Sequence, residues 1–495
     1  MQRILYIFVI ILPLLLTCIF FYAYFDKTLL ECQILENDEM LYWHEVLTFT
    51  KVGFSGGYYS FGDELAPFVW SNWDMHGPCY PVLYGILALV FGWHPYSPIL
   101  FNLALLSLSL ALFLYLIKPN IKQTIMVGLT LSTFWPLMLF LPWTNQESMN
   151  ISISFFLTFI FYKIFKEKEN ITPRFQSLSL LFLCIASFIR ITWVILIPPF
   201  CIMVLRKKSL KKISFAFLMS IFLSLFLVYL FSGFSAPHPD IIMNIIEKIP
   251  TWDGKLLFLA ENAKINLNRL FSFIEDTPLE TLLRYQVLLI LAILAISLLL
   301  DLGKNSRLLL TWFKEEYFHL YQLFTILFLN LVFWNILVWR DYRIIAPHLL
   351  VSVLLIILLG NPKKTLLAIP FLVLLTHLFF FSDFSNIYKD LHGRRFDKSH
   401  IAAKEAFSEM LKDVVVYQKN AHSRWCNTIA YPGPIHPWLA GAPAGIGFSF
   451  IAIDKPMLKA KYIFTVSPVS SPHFKLLKSE SLGYIYQNLL SECKE

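Results

Sequence analysis

Charged residues are scarce in this 495-residue chain: Asp, Glu, Lys and Arg make up 15% of it. An ordinary soluble domain has about 25%. The apolar share is high at 57%, and the mean hydropathy is +0.62. This composition excludes soluble, collagen-like and disordered chains. The sequence therefore predicts a polytopic membrane protein.

Several functional motifs are also missing from the sequence. It has no Walker or dinucleotide-binding glycine loop, no Gly-x-Ser-x-Gly and no zinc-ligand spacing. A nucleotide-driven pump and a nucleotide-sugar enzyme of the soluble type are therefore disfavoured. No pair of Gly/Pro-interrupted spans supports an inverted-repeat transporter. The net charge is +8, but its basic residues cluster in short loops between apolar runs, so we expect no nucleic-acid partner.

Long apolar runs dominate the sequence, and each predicts a helix that crosses about 30 Å of hydrocarbon. Together they predict an all-α polytopic protein with about eleven transmembrane helices. The runs are 4–25, 97–117, 124–142, 148–165, 176–189, 191–205, 213–231, 285–302, 317–338, 344–360 and 365–381. The alternative for 176–205 is one interrupted segment.

Basic loops between these runs indicate the orientation. Five loops hold 16 Lys and Arg residues and two acids, and they fall on one side if 78–93 lies at the interface. Because positive loops face the cytoplasm, the N-terminus is predicted to be cytoplasmic and the C-terminal part extracytoplasmic. Short loops and the lack of eukaryotic sorting signals favour the bacterial inner membrane; a location in the endoplasmic reticulum would keep the same topology. The loops are 118–122, 163–174, 206–212, 304–314 and 363–364.

Two units are expected along the chain. Residues 1–382 form the membrane domain, with large outer loops at 26–96 and 232–284. Residues 383–495 have soluble composition and predict a small extracytoplasmic α/β domain. Strands are expected at Val414–Tyr417, Thr428–Tyr431 and Tyr462–Val466, and helices at Ala402–Leu411 and Leu482–Leu490.

Four cysteines fall in predicted outer segments. Cys32 and Cys79 share the first outer loop, and Cys426 and Cys493 share the C-terminal region. An oxidising compartment would allow disulfides between them. Three connectivities are open, and so are four free thiols.

An acidic pair, Asp38-Glu39, follows the first apolar run. A carboxylate held beside the membrane can take a proton from a hydroxyl or an amine, which makes both residues candidate catalytic bases. A short helix here would place Asp38 and Tyr42 on one face. The alternative is an ordinary helix start, capped by Asn37, whose dipole favours two acids.

Candidate anion-binding groups follow in the same predicted outer region. His76 precedes a Gly77-Pro78 break and a helix start, where imidazole and helix dipole can hold an anion. Arg340 and Arg343 lie near the outer end of run 317–338 and could clamp a phosphate together. The alternatives are a histidine in a turn and arginines that extend to the membrane surface.

Two further charged residues are lesser candidates. Arg190 lies between apolar runs, where a charge is costly and often functional, and is a fourth candidate for phosphate. It can equally mark an outer turn. Glu147 lies in a very short outer turn, as a second candidate acid or as a helix cap.

Taken together, these residues over roughly 1–380 resemble the GT-C superfamily of integral-membrane glycosyltransferases, which includes protein O-mannosyltransferases and the lipid A aminoarabinose transferase. The order of the motifs and their shared side of the membrane carry the resemblance. Gly77 replaces a proline common in the family, and Tyr342-Arg343 reverses its usual order. The motifs are Asp38-Glu39 with Tyr42, His76-Gly77-Pro78 with Tyr80–Tyr84, Arg190, and Arg340–Pro347.

The resemblance implies a sugar transferase that uses a polyprenyl-phosphate donor in the membrane lipid. Asp38 would be the base, and the acceptor would be a lipid, a glycan or a protein. His76, Arg340 and Arg343 would stabilise the departing phosphate, with inversion at the anomeric carbon. A divalent cation could assist, although the sequence does not demand one. A transporter of lipid-linked sugars and a non-catalytic scaffold are the competing classes.

Overall fold

The structure is a computed structural model that consists of helices and one small sheet. Arg340, the predicted span 317–338 and most of 365–381 lie outside the described residues. The described residues are 2–34, 38–56, 59–64, 66–68, 73, 76–167, 171–205, 209–237, 242–271, 278–304, 343–359, 374, 377–453 and 458–493.

The described helices, named in chain order, are α1 (Gln2–Phe25), α2 (Asp38–Val52), α3 (Cys79–Phe91), α4 (Ser97–Ile117), α5 (Ile121–Thr133), α6 (Trp135–Phe140), α7 (Glu147–Glu167), α8 (Pro173–Ile189), α9 (Ile197–Leu205), α10 (Leu210–Phe234), α11 (Ile242–Lys248), α12 (Trp252–Phe271), α13 (Pro278–Lys304), α14 (Ala346–Leu359), α15 (Phe381–Gly393) and α16 (Lys398–Leu411). Short 3₁₀ turns connect several of them. Helices α11 and α12 lie within 232–284, the predicted second outer loop.

Four of these helices, α1, α4, α7 and α10, are long and apolar enough to cross a membrane. Shorter apolar helices, α3, α8 and α14 among them, accompany these four. Helix α7 packs against α4 and α14 and is the most enclosed of the four, whereas α10 packs chiefly on α9. The protein is therefore a helical membrane protein with a small sheet.

Helix α3 is the segment that was predicted to lie at the interface. Its 13 residues extend about 20 Å, too short for the hydrocarbon layer. It begins just after Gly77, whose φ of +74° is the left-handed conformation that glycine adopts without strain. The Gly-Pro break therefore sets the start of this helix.

The predicted run 124–142 is divided into two helices, α5 and α6. Pro136 lacks an N–H and restricts the backbone before it, so the helix is interrupted at Phe134. Buried Gln286 of α13 bridges the gap: it donates to the Thr133 carbonyl (2.7 Å) and accepts from the Trp135 N–H (3.0 Å). These bonds satisfy backbone groups that the break exposes.

The sheet has six strands in the order β1-β3-β2-β4-β6-β5, and the first four are parallel. Strand β1 comes from the first outer loop and pairs with β3, so this loop and the C-terminal region share one sheet. The predicted boundary at residue 382 stays a prediction. The strands are β1 (Ser60–Phe61), β2 (Thr428–Tyr431), β3 (Gly447–Phe450), β4 (Tyr462–Thr465), β5 (Phe474–Glu480) and β6 (Gly483–Asn488).

Two strand predictions and one helix prediction in this region are confirmed, by β2, β4 and α16. The strand predicted at Val414–Tyr417 is wrong: Val414 belongs to the turn that follows α16, and residues 415–417 are a bend and irregular chain. The helix predicted at Leu482–Leu490 is also wrong. Strand β6 occupies it, paired antiparallel with β4 and β5 on its two sides.

One of the two considered disulfides is present. Cys426, just before β2, is bonded to Cys493, just after β6, so the link closes the sheet region across 67 residues. Cys32 and Cys79 are free thiols, and Cys32 is buried. The first outer loop therefore has no disulfide of its own.

We predict that Gln286→Leu lowers the melting temperature of the detergent-solubilised protein. The change leaves the Thr133 carbonyl and the Trp135 N–H without their bridge, and each unsatisfied buried group costs about 1–3 kcal/mol. Scanning fluorimetry measures the shift. Gln176→Leu, at the half-exposed start of α8, is the control and should change little. Equal melting temperatures for wild type and Gln286→Leu would contradict the bridging role.

Candidate functional site

The candidate site is built around the first turn of α2, which begins at Asp38. Neighbouring residues of a helix point about 100° apart, so the two acids of this turn face different surroundings. The Asp38 side chain is 31% exposed and that of Glu39 only 1%. The pair therefore divides into an accessible acid and a buried one.

Glu39 joins α2 to two other parts of the protein. One of its carboxylate oxygens accepts hydrogen bonds from Arg395 Nη1 (2.9 Å), the Thr144 N–H (2.7 Å) and the Thr144 hydroxyl (2.9 Å). Arg395, also 1% exposed, lies between α15 and α16 and further donates to the Gln33 carbonyl (3.2 Å). Such a buried, multiply bonded pair holds segments in place and leaves Glu39 inaccessible to an acceptor.

Asp38 lies beside an arginine that comes from a distant part of the chain. An Arg343 Nη2 atom is 3.7 Å from an Asp38 carboxylate oxygen, and the Arg343 side chain is 20% exposed. The guanidinium also lies over the rings of Phe140 (5.4 Å) and Trp143 (5.5 Å). These cation–π contacts orient the arginine, so that a partly exposed carboxylate lies beside a cation that two aromatic rings hold in place.

His76 lies on the continuation of the same face of α2. Its ring is 4.7 Å from that of Tyr42, which is one helical turn beyond Asp38. The His76 carbonyl accepts a hydrogen bond from Gln146 Nε2 (3.2 Å). The structure thus places His76, Tyr42 and Asp38 along one side of α2.

Arg190 is paired with Glu147. Two guanidinium nitrogens meet the two carboxylate oxygens, and Nη1 to Oε2 is 3.0 Å. Both side chains are nearly buried, and the Asn145 side chain caps the Glu147 N–H (3.0 Å). The structure therefore places Glu147 as the first residue of α7, where it is paired with Arg190; the capping side chain is Asn145, so Glu147 is not the surface cap considered from the sequence.

The loop 141–146, between α6 and α7, connects these groups. Thr144 binds Glu39, Trp143 packs on Arg343 and Gln146 binds His76. Sequence reasoning missed Thr144 and Arg395, because one polar residue in a turn and one arginine in a soluble-type segment carry no pattern. An arginine in a polar segment is usually exposed, so the importance of Arg395 is seen only from its burial in the structure.

Arg340 lies outside the described residues, so its predicted role stays a prediction. Within the described part of the chain, no three His, Cys, Asp or Glu side chains form a group that could hold a metal ion. The divalent cation considered from the sequence therefore has no ligand set in this part. Its participation stays open as a prediction.

The opposite side of α2 packs against the C-terminal region. His44 is fully buried and donates from Nε2 to the Ala442 carbonyl (3.1 Å), while the Thr48 hydroxyl accepts from the Gly445 N–H (3.2 Å). Met40 and Leu41 join the apolar core of the sheet region. Burial lowers the pKa of His44 from 6.5 to about 4. Helix α2 is thus fixed between the membrane helices and the sheet.

Comparisons of the chain with models of protein families, with curated proteins and with solved structures found no match.

We predict that Glu39→Gln destabilises the protein strongly and that Asp38→Asn does not. Breaking a buried ion pair leaves the Arg395 charge uncompensated, which costs about 3–5 kcal/mol. A partly exposed pair such as Asp38–Arg343 contributes only about 0–1 kcal/mol. Melting curves of both variants in detergent measure the difference. Similar melting temperatures for the two would contradict the division of roles.

We also predict that the stability of the protein falls as the pH is lowered from about 6.5 to about 4. In this window His44 binds a proton in the unfolded chain but stays neutral in the folded chain, so a fall in pH favours unfolding. Above pH 6.5 the His44 side chain is neutral in both states. Across this window the free energy of unfolding falls by about 3 kcal/mol. His44→Gln should flatten the pH dependence of the melting temperature, whereas the exposed-site control His473→Gln should preserve it. An unchanged slope in His44→Gln would refute the assignment.

Proposed function

We propose that the protein is a GT-C-like glycosyltransferase. It would move a sugar from a polyprenyl-phosphate donor to a lipid, glycan or protein acceptor on the extracytoplasmic face. The observation that carries the proposal is the juxtaposition of Asp38 and Arg343, an accessible carboxylate 3.7 Å from a cation held by two aromatic rings. A base beside a phosphate-binding group is what this transfer needs.

In the proposed reaction, an acceptor hydroxyl oxygen or amine nitrogen attacks the anomeric carbon while Asp38 takes its proton. The bond from that carbon to the phosphate oxygen breaks, and the electron pair leaves with polyprenyl phosphate. Arg343 stabilises the negative charge on the phosphate, with Arg340 and His76 as further donors. One direct displacement inverts the configuration of the anomeric carbon.

The neighbouring charged pairs have supporting roles in this proposal. Glu39 is nearly inaccessible and bound to Arg395 and Thr144, so it positions the first turn of α2 and does not replace Asp38 as base. Arg190 and Glu147, which directly follows the 141–146 loop, neutralise each other. Arg343 is thus the preferred candidate among the described arginines for the donor phosphate.

The proposed topology has about eleven spans, with a cytoplasmic N-terminus and the sheet outside the inner membrane. The shared sheet of the first outer loop and the C-terminal region supports placing both on one side. The Cys426–Cys493 disulfide favours an oxidising, extracytoplasmic compartment for that side.

We predict that Asp38→Asn abolishes sugar transfer without loss of folding. Radiolabelled sugar is followed from polyprenyl-phosphate sugars to acceptors in membranes at matched expression. Removing a general base lowers the rate by roughly 10²–10⁴-fold. Arg343→Gln should also impair transfer. The control is Asp390→Asn, which removes an exposed carboxylate paired with Arg394 on the surface of α15.

Each other outcome has a distinct meaning. Equal labelling by wild type and a folded Asp38→Asn variant would remove Asp38 from the mechanism. Failure of wild type to label any acceptor from a donor pool that a known transferase uses would favour the scaffold or transporter class. A transporter would instead move labelled donor across sealed vesicles and would tolerate Asp38→Asn.

A further inference from the structure

An apolar groove of about 890 Å³ runs along the outside of the helical region, away from Asp38 and Arg343. Its walls come from Leu180 of α8, Cys201 of α9 and one face of α10. Two lysines, Lys211 and Lys212, line it at the start of α10. We call this feature the α8–α10 groove.

The walls of the groove suit hydrocarbon chains. Phe215 and Phe222 of α10 are each 66% exposed, and α10 is the least enclosed of the four long apolar helices. The groove follows α10 from Lys211 to Phe226, about 22 Å along the helix axis. Half of the hydrocarbon layer is about 15 Å thick, so the groove is long enough for the acyl chains of one leaflet.

The charge of the groove lies at one end. Lys211 and Lys212 are both exposed, and three more basic residues, Arg206, Lys207 and Lys208, precede them in the sequence. Basic clusters next to a membrane-spanning helix attract anionic lipid headgroups by about 1 kcal/mol per charge. Apolar walls with a cationic end therefore match an anionic phospholipid better than a neutral one.

The charged end lies far from the candidate active site. Helix α10 has 25 residues and is about 37 Å long. Ser235, just beyond its other end, lies close to Gly77, the neighbour of His76: a Cβ on Gly77 would be 3.2 Å from the Ser235 hydroxyl. The lysines are thus at the end of α10 opposite to His76, and a lipid headgroup there is separate from the donor phosphate.

We propose that the α8–α10 groove binds an anionic phospholipid, with its phosphate on Lys211 and Lys212 and its acyl chains between α8, α9 and α10. This site does not depend on the proposed transferase activity. In the proposed orientation it draws its lipid from the cytoplasmic leaflet, whose anionic lipids give that surface its negative potential.

Native mass spectrometry of the full chain tests this directly, by titration with phosphatidylglycerol and with phosphatidylcholine of identical acyl chains. Wild type should bind phosphatidylglycerol more tightly. Lys211→Gln/Lys212→Gln should weaken phosphatidylglycerol binding by roughly 30-fold and leave phosphatidylcholine almost unchanged. Met219→Trp, which fills the groove and keeps both lysines, should weaken the binding of both lipids.

The matched control is Lys163→Gln/Lys166→Gln, two lysines near the end of α7 that lie over aromatic rings outside the groove. This variant should bind phosphatidylglycerol more tightly than phosphatidylcholine, as wild type does. Loss of the preference in the control as well would show general attraction to basic residues and overturn the site. Equal binding of the two lipids by wild type, or unimpaired binding by Met219→Trp, would also overturn it. Sugar transfer is not measured in any arm, so failure here leaves the proposed function untouched.

Discussion

The buried contact between Glu39 and Arg395 is the constraint on which the candidate site depends. It joins the start of α2 to the entrance of the C-terminal region, and the same carboxylate oxygen holds Thr144 of the 141–146 loop. A charge buried this deeply is tolerated only when it is paired and hydrogen-bonded. The first turn of α2, which carries Asp38, is therefore held in position by this buried contact.

This arrangement gives the stabilising contact to Glu39 and leaves its neighbour Asp38 available for the proposed chemistry. The contact of Asp38 with Arg343 is longer and partly exposed, and pairs of this kind contribute little to folding. In the proposed reaction, Asp38 exchanges its partner for an acceptor without unfolding the site. The rings of Phe140 and Trp143 hold Arg343 in place during such an exchange, and the 141–146 loop couples this support to Glu39.

Sequence patterns predicted those parts of the molecule that local chemistry determines. The Gly77-Pro78 break predicted the start of α3, and the charge of the first turn of α2 indicated the candidate site. Long-range packing decided the rest. Leu482–Leu490 resembles a helix alone, but pairing with two strands makes it β6. Arg395 has no distinguishing neighbours in sequence, and only its burial against Glu39 reveals its importance.

The central claim is that the 3.7 Å contact between Asp38 and Arg343 opens for the substrate, so that Asp38 serves the acceptor and Arg343 serves the phosphate of one sugar-phosphate linkage. An experimental structure of the protein with a non-transferable polyprenyl-phosphate sugar analogue tests it most directly, through two distances. The account predicts the phosphate within hydrogen-bonding distance of Arg343 and the Asp38 carboxylate on the opposite side of the anomeric carbon, with room for an acceptor between them. A phosphate bound elsewhere, or an Asp38 carboxylate that faces away from the anomeric carbon, would contradict it.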